Sequence, residues 1–154
     1  MIQFHRTDIV SFCLISLIVP LLVLIYGDAM YAGLFYYFVI PAVALPIAIW
    51  FSPRKGFLIG LGIALAIEFL LILQINWRSQ WQDGMVGVLH MVSLPGAFLA
   101  VVFAGRWFER KPPASSFGVA LTGCVIVLVG CTLMQTAFYL FFFVLEKVLI
   151  ALSR

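Results

Sequence analysis

Charge is what this chain has least of. Only 10% of its 154 residues are Asp, Glu, Lys or Arg, whereas 65% are hydrophobic. An ordinary soluble domain carries roughly 25% charged residues. A soluble fold of this size has too little interior to hide so much apolar surface, so lipid must cover most of it. At about 20 residues per membrane helix, the chain has room for five spans and short loops, and none for a separate soluble domain.

Residues that bind metals or cofactors are also scarce. The chain has three cysteines and two histidines, with no CxxC pair and no Cys/His cluster, which argues against a zinc-type site. No HExxH, no Walker loop and no Ser/His/Asp order is present. The charges behind the net value of +3 lie in the loops. There they indicate the orientation of the chain in the membrane rather than nucleic-acid binding. We therefore expect no metal, no cofactor and no nucleic-acid partner.

The apolar residues form five runs separated by short polar breaks. The runs cover approximately residues 9–26, 34–51, 57–75, 85–105 and 118–144. They predict an all-α membrane protein in which residues 1–154 form a single transmembrane domain, a polytopic bundle of about five helices. The last run is too long for one untilted span. The C-terminal tail, residues 145–154, is therefore expected either to extend the fifth helix or to lie in the membrane interface.

The distribution of Lys and Arg predicts the orientation of the bundle. If the N-terminus is cytoplasmic, the two loops on the opposite side contain only Arg78. The cytoplasmic segments then contain Arg6, Arg54, Lys55, Arg106, Arg110 and Lys111. This asymmetry follows the positive-inside rule. It predicts a multi-pass protein of the cytoplasmic (inner) membrane whose C-terminus lies outside.

Glu68 is the carboxylate that the sequence leaves at membrane depth, near the middle of the run 57–75. A charge at the bilayer centre costs about 2.5–3.5 kcal/mol on insertion scales, so such residues usually face a packed interior or a partner. Gly56, Gly60, Ala64 and Glu68 are four residues apart and share one helical face. Small residues at this spacing let membrane helices approach closely. We therefore expect Glu68 to project from the packed face of the third helix.

Two further polar residues lie at a depth similar to that of Glu68, if helices rise 1.5 Å per residue. They are His90 in the fourth span and Gln135 in the fifth. A buried cluster of Glu68, His90 and Gln135, in the half of the bundle away from the cytoplasm, is therefore predicted. The fifth span also has Gly123, Gly130 and Ala137 at intervals of seven. That spacing is typical of a left-handed packing seam, within the chain or between subunits.

Three functions are compatible with this pattern. The favoured hypothesis is a non-enzymatic integral membrane component that assembles with itself or with a partner membrane protein, as a subunit, an assembly factor or a protein that protects against toxins or phage. Its basic loops could contact anionic lipid headgroups. The alternative is a small oligomeric transporter or channel that uses Glu68 and His90 for protons or cations. A lipid-modifying enzyme, dependent on Arg78, Asp83 or Glu68, is a third possibility.

Overall fold

The computed structural model describes residues 6–28, 32–51, 54–78, 85–111 and 115–152. Each of these ranges contains one α-helix that is long and apolar enough to cross a membrane. The helices are α1 (Arg6–Tyr26), α2 (Leu34–Phe51), α3 (Phe57–Arg78), α4 (Met85–Arg110) and α5 (Ser116–Leu152). The prediction of an all-α polytopic bundle is confirmed. The chain is a multi-pass membrane protein.

The turn between α1 and α2 is built by two glycines and an aspartate. Gly27 adopts a φ of 89°, and its N–H donates to the Val23 carbonyl at 2.9 Å. A glycine in this left-handed conformation is a common way to end a helix. Gly33, with a φ of 78°, donates its N–H to the Asp28 carboxylate at 2.6 Å. The turn therefore fixes the ends of both helices.

Within the described ranges, α3 is the helix that packs against all four others. Thirteen of its twenty-two residues are buried, and its exposed apolar side chains, Ile63, Leu71 and Ile75, lie along one stripe. The other strong contact joins α4 and α5, whereas α2 packs against α1, α3 and α4. The bundle thus has a core helix and a closely packed α3–α4–α5 unit.

The helices of this unit touch backbone to backbone. A Cβ atom added to Gly60 of α3 would lie 2.1 Å from the Ala120 carbonyl oxygen of α5. One added to Gly96 of α4 would lie 2.2 Å from the Gly130 oxygen of α5. Glycine is required at both sites because any side chain would force the helices apart.

The small residues singled out in the sequence lie at these contacts. Gly56 faces the Ser116 backbone of α5, and Ala64 is buried. On α5, Gly123 packs against the Phe57 ring, while Gly130 meets both Gly96 and Ala100 of α4. Ala137, in contrast, is exposed and lines a groove along the outside of α4 and α5. The close approaches of Gly56, Gly60, Gly123 and Gly130 are therefore made within one chain.

α5 is much longer than its neighbours and leaves the bundle. Beyond the contact between Gly96 and Gly130, α4 has eleven residues before its far end at Met85, whereas α5 has twenty-two before Leu152. Every residue from Tyr139 to Leu152 is exposed. We call this segment, Tyr139–Leu152, distal α5. It continues the helix without a turn, and residues 153–154 lie outside the described part of the chain.

Candidate functional site

Glu68 and Gln135 form a direct link between α3 and α5. The Gln135 side-chain amide donates to the Glu68 carboxyl at 2.7 Å. Glu68 is only 7% exposed, which agrees with a carboxyl that faces the packed interior rather than lipid. The structure therefore brings together two of the three residues of the predicted polar cluster.

α4 closes the other side of this carboxyl. Ser93 lies beside Glu68, is fully buried, and donates its hydroxyl to the His90 carbonyl of its own helix at 2.7 Å. Cys131 of α5 also lies next to Ser93 and Glu68. The Glu68 carboxyl of α3 is thus surrounded by polar groups from two other helices, α4 and α5, and none of these described neighbours is cationic. The arrangement suits a structural hydrogen-bond network between helices.

The His90 side chain belongs to a different network. Its Nδ1 lies 2.8 Å from the Tyr36 hydroxyl of α2, and its ring stacks on Phe69 of α3 with centroids 4.4 Å apart. His90 is completely buried, and its Nε2 has no hydrogen-bond partner in the described structure. The predicted side-chain pairing of His90 with Glu68 is therefore replaced by a bond from His90 to Tyr36.

Tyr36 and Tyr37 lie at the end of a span, where aromatic residues commonly form an interfacial belt. The structure instead buries Tyr37 completely and bonds its hydroxyl to the Asp28 carboxylate at 2.5 Å. The Tyr36 and Tyr37 rings pack edge to face, and both contact Phe69. The end of the bundle near Asp28, called here the far end, is held together by these tyrosines.

A second buried carboxylate, missed from the sequence, lies at the opposite end. Asp8, in the first turn of α1, is only 5% exposed. Its carboxylate accepts a hydrogen bond from the Gly56 N–H, which belongs to the segment that leads into α3. Gly56 has a φ of 92°, a conformation that glycine adopts without strain. The sequence signal was an acidic residue in a first helical turn, where carboxylates are generally favourable.

Cationic side chains surround this second end, called here the basic end. All of these described side chains are exposed, whereas the buried Asp8 carboxylate is hydrogen-bonded to the backbone N–H of Gly56. The five residues predicted from the loops are Arg54, Lys55, Arg106, Arg110 and Lys111. The Lys111 ammonium lies 5.5 Å from the centre of the Trp107 ring. Such an exposed basic surface can contact anionic headgroups.

An apolar groove runs along the outside of α4 and α5. It has a volume of about 500 Å³ and is lined by small residues such as Gly96, Ala100, Gly130 and Ala137, flanked by Leu, Val, Phe and Met side chains. Because Ala137 lies at one end of it, the groove leads directly to distal α5. Together they form a continuous uncovered apolar surface on the outside of α4 and α5.

The remaining candidates are Arg78 and Asp83, which the sequence suggested for a lipid-modifying enzyme. Among the residues that the structure describes, no three His, Cys, Asp or Glu side chains gather to hold a metal ion. Arg78 ends α3 and is exposed, whereas Asp83 lies outside the described residues. A search of protein-family models, curated proteins and solved structures finds no match to this chain.

Proposed function

We propose that this chain is a non-enzymatic component of the cytoplasmic membrane, with its N-terminus in the cytoplasm, that assembles with other membrane helices through distal α5. The observation that carries the proposal is that every residue from Tyr139 to Leu152 is exposed, at the end of an unbroken 37-residue helix. In the rest of the bundle, Tyr36, Tyr37 and Glu68 form hydrogen bonds within the chain, to His90, Asp28 and Gln135 respectively.

The length of α5 supports this function. At 1.5 Å per residue, α5 is about 55 Å long, compared with about 30 Å for the hydrocarbon core of a bilayer. A tilt of about 20° is usual for membrane helices, and it would still leave α5 longer than the core. Lipid chains therefore cannot cover all of its apolar surface. A protein partner can.

The internal polar network supports a structural rather than a chemical role for the bundle. The bond between Gln135 and Glu68 ties α5 to α3 directly below distal α5. Interhelical bonds of this kind contribute about 0.6 kcal/mol on average. Such a contact positions the base of distal α5 while leaving its exposed surface available for assembly.

The test is to purify the tagged chain at native expression in a gentle detergent and to measure the mass of the intact complex. A variant that ends after Phe138 keeps the Gln135 contact and removes distal α5. A matched control replaces residues 139–152 with a Leu/Ala helix of equal length, which preserves apolar character and removes the specific surface. We expect a complex larger than one chain for the natural protein and a single chain for both variants.

A natural protein that runs as a single chain, or a truncated protein that keeps the whole complex, would refute this function. A control helix that restores the complex would show that apolar length alone is sufficient. In that case the side chains of distal α5 would have no specific role in assembly.

The sequence-based alternative, a small oligomeric transporter or channel, is favoured by one observation, the buried Glu68 carboxyl. Its predicted partner, His90, is bonded to Tyr36 instead, so a proton or cation pathway would depend on Glu68 and Gln135. The test is pH-dependent flux in proteoliposomes. This function requires that Glu68→Gln abolish the flux while the protein remains folded.

A further inference from the structure

A groove between α1 and α3 lies towards the far end of the bundle. It has a volume of about 620 Å³, within the range of about 300–1,000 Å³ that is usual for ligand pockets. It is lined by Leu22 and Tyr26 of α1 and by Leu70, Gln74 and Trp77 of α3. This α1–α3 groove is therefore separate from the contact between Glu68 and Gln135 and from distal α5.

The polarity of the groove changes with depth in the membrane. α1 and α3 both run towards the far end, because α2 lies between them in the chain and returns to the basic end. Leu22 lies about one turn before Tyr26, and Leu70 lies about one turn before Gln74. Leucines thus line the deeper part of the groove, and polar side chains line the part at the membrane surface. A phospholipid has the same order, with its acyl chains below its polar headgroup.

The Arg78 guanidinium is held at the polar end of this groove. Arg78 follows Gln74 by one turn, at the end of α3. With its amide oxygen facing Arg78, the Gln74 side chain accepts hydrogen bonds from Nε at 2.7 Å and from Nη2 at 3.2 Å. Arginine has five N–H donors in a planar fork, so this contact leaves both donors on Nη1 for an anion.

Trp77 fixes the wall of the groove at the same level. Its Nε1–H donates to the Gly27 carbonyl at 3.2 Å, and its ring packs against Tyr26 with centroids 5.7 Å apart. Both contacts join the end of α3 to the end of α1. The mouth of the groove is therefore formed before a ligand arrives, which lowers the cost of binding.

Charge complementarity favours an anionic phospholipid. The planar fork of an arginine matches the oxygens of a phosphate. No carboxylate lines the groove that could bind the ammonium of a zwitterionic headgroup, and the Asp28 carboxylate is hydrogen-bonded by Tyr37 and Gly33. Arg78 is the one Lys or Arg in the described residues that border the far-end loops, which are 26–28, 32–36, 74–78 and 85–90.

We propose that the α1–α3 groove binds one anionic phospholipid from the leaflet at the far end. Its phosphate accepts hydrogen bonds from Arg78, and one of its acyl chains lies along Leu22 and Leu70 between the two helices. The site does not depend on assembly through distal α5. It gives the chain a specific lipid contact on the side of the membrane opposite the basic end.

Fluorescence quenching in vesicles tests the site, because Trp77 lines the groove. The reporter protein has phenylalanine in place of the other three tryptophans, Trp50, Trp81 and Trp107. The vesicles contain phosphatidylglycerol and phosphatidylcholine, with bromine on the acyl chains of either one lipid or the other. The ratio of quenching by the two brominated lipids gives their relative affinity for the site next to Trp77.

Three variants of the reporter protein separate the headgroup contact from the groove. Arg78→Gln removes the phosphate ligand. Arg110→Gln is the matched control, because Arg110 is also an exposed arginine in the last turn of its helix but lies at the basic end. Leu70→Phe fills the groove. Circular dichroism should show the same helix content for all three.

We expect a several-fold preference for phosphatidylglycerol in the reporter protein and in Arg110→Gln. Arg78→Gln should bind the two lipids nearly equally, and Leu70→Phe should reduce quenching by brominated phosphatidylglycerol because the acyl chain no longer fits.

Equal quenching by both lipids in the reporter protein, or a preference that Arg78→Gln leaves unchanged, would overturn the site. An equal loss in Arg110→Gln would overturn it too, since net charge would then attract the lipid. Unchanged quenching in Leu70→Phe would refute the acyl-chain contact. Loss of the preference when inorganic phosphate is added at constant ionic strength would assign Arg78 to a soluble anion and refute the lipid.

Discussion

Gly60→Ala is the substitution whose effect the structure specifies best. The new Cβ atom would lie 2.1 Å from the Ala120 carbonyl oxygen, 2.9 Å from its carbonyl carbon and 3.0 Å from its Cα. All three atoms belong to the backbone of α5, so no side-chain rotation can relieve the contact. α3 and α5 must separate by about 1 Å or more, over a contact that extends to Gly56 and Gly123.

The magnitude follows from two opposing effects. Inserting a group into a packed core typically costs about 1–3 kcal/mol, and a contact with rigid backbone belongs at the upper end. Alanine favours the helix over glycine by about 1 kcal/mol. The free energy of unfolding of Gly60→Ala should therefore fall by about 2 kcal/mol.

Gly62→Ala on the same helix is the matched control. Its Cβ would lie 3.3 Å from a carbon of the Phe12 ring, a side chain that can shift by a few tenths of an ångström. The helix preference of alanine should then compensate, and the stability should change by less than about 1 kcal/mol. Reversible unfolding by SDS in mixed micelles, followed by circular dichroism, measures both variants. Equal unfolding midpoints for the two variants would refute the backbone contact between α3 and α5.

Three other substitutions test separate contacts in the same assay. Asp8→Ala leaves the buried Gly56 N–H without an acceptor and should cost about 1–3 kcal/mol, whereas Asp8→Asn retains an acceptor and should cost less; equal losses would contradict the role of this bond. Glu68→Leu removes the acceptor of the Gln135 amide and should cost more than Glu68→Gln, which can still accept; the reverse order would count against the α3–α5 link. Gly96→Ala should destabilise the bundle as Gly60→Ala does, and an unchanged midpoint would disprove the α4–α5 contact.

The five-helix fold could be predicted because it depends on features that a sequence states directly. Apolar runs of sufficient length, interrupted at Gly27 or at Arg54 and Lys55, specify membrane helices whatever packs against them. The line of Gly56 and Gly60 likewise indicated a close helix contact. The helix that makes this contact, the start of α5, could not be identified. Small residues indicate that another helix approaches closely, but they do not indicate which one.

The polar contacts were harder to predict, for a geometric reason. Counting residues gives the depth of a side chain, and this sufficed to consider Glu68 with Gln135. It does not give the rotation of each helix about its own axis, so His90 could not be assigned to Tyr36. Tyr37 and Asp8 were missed for a related reason, since residues at the ends of spans are usually solvated and nothing local indicates that a neighbouring helix will cover them.

The bond between Asp8 and Gly56 bears on the order in which the protein is made. The two residues are 48 positions apart. α1 therefore leaves the ribosome well before the Asp8 carboxylate can accept a hydrogen bond from the Gly56 N–H. Until then the carboxylate needs water, which keeps the first turn of α1 at the membrane surface. Once α3 inserts, Gly56 takes the place of that water and α1 can settle against the bundle. Insertion of α3 would thus be the step that lets α1 reach its final packed position in the bundle.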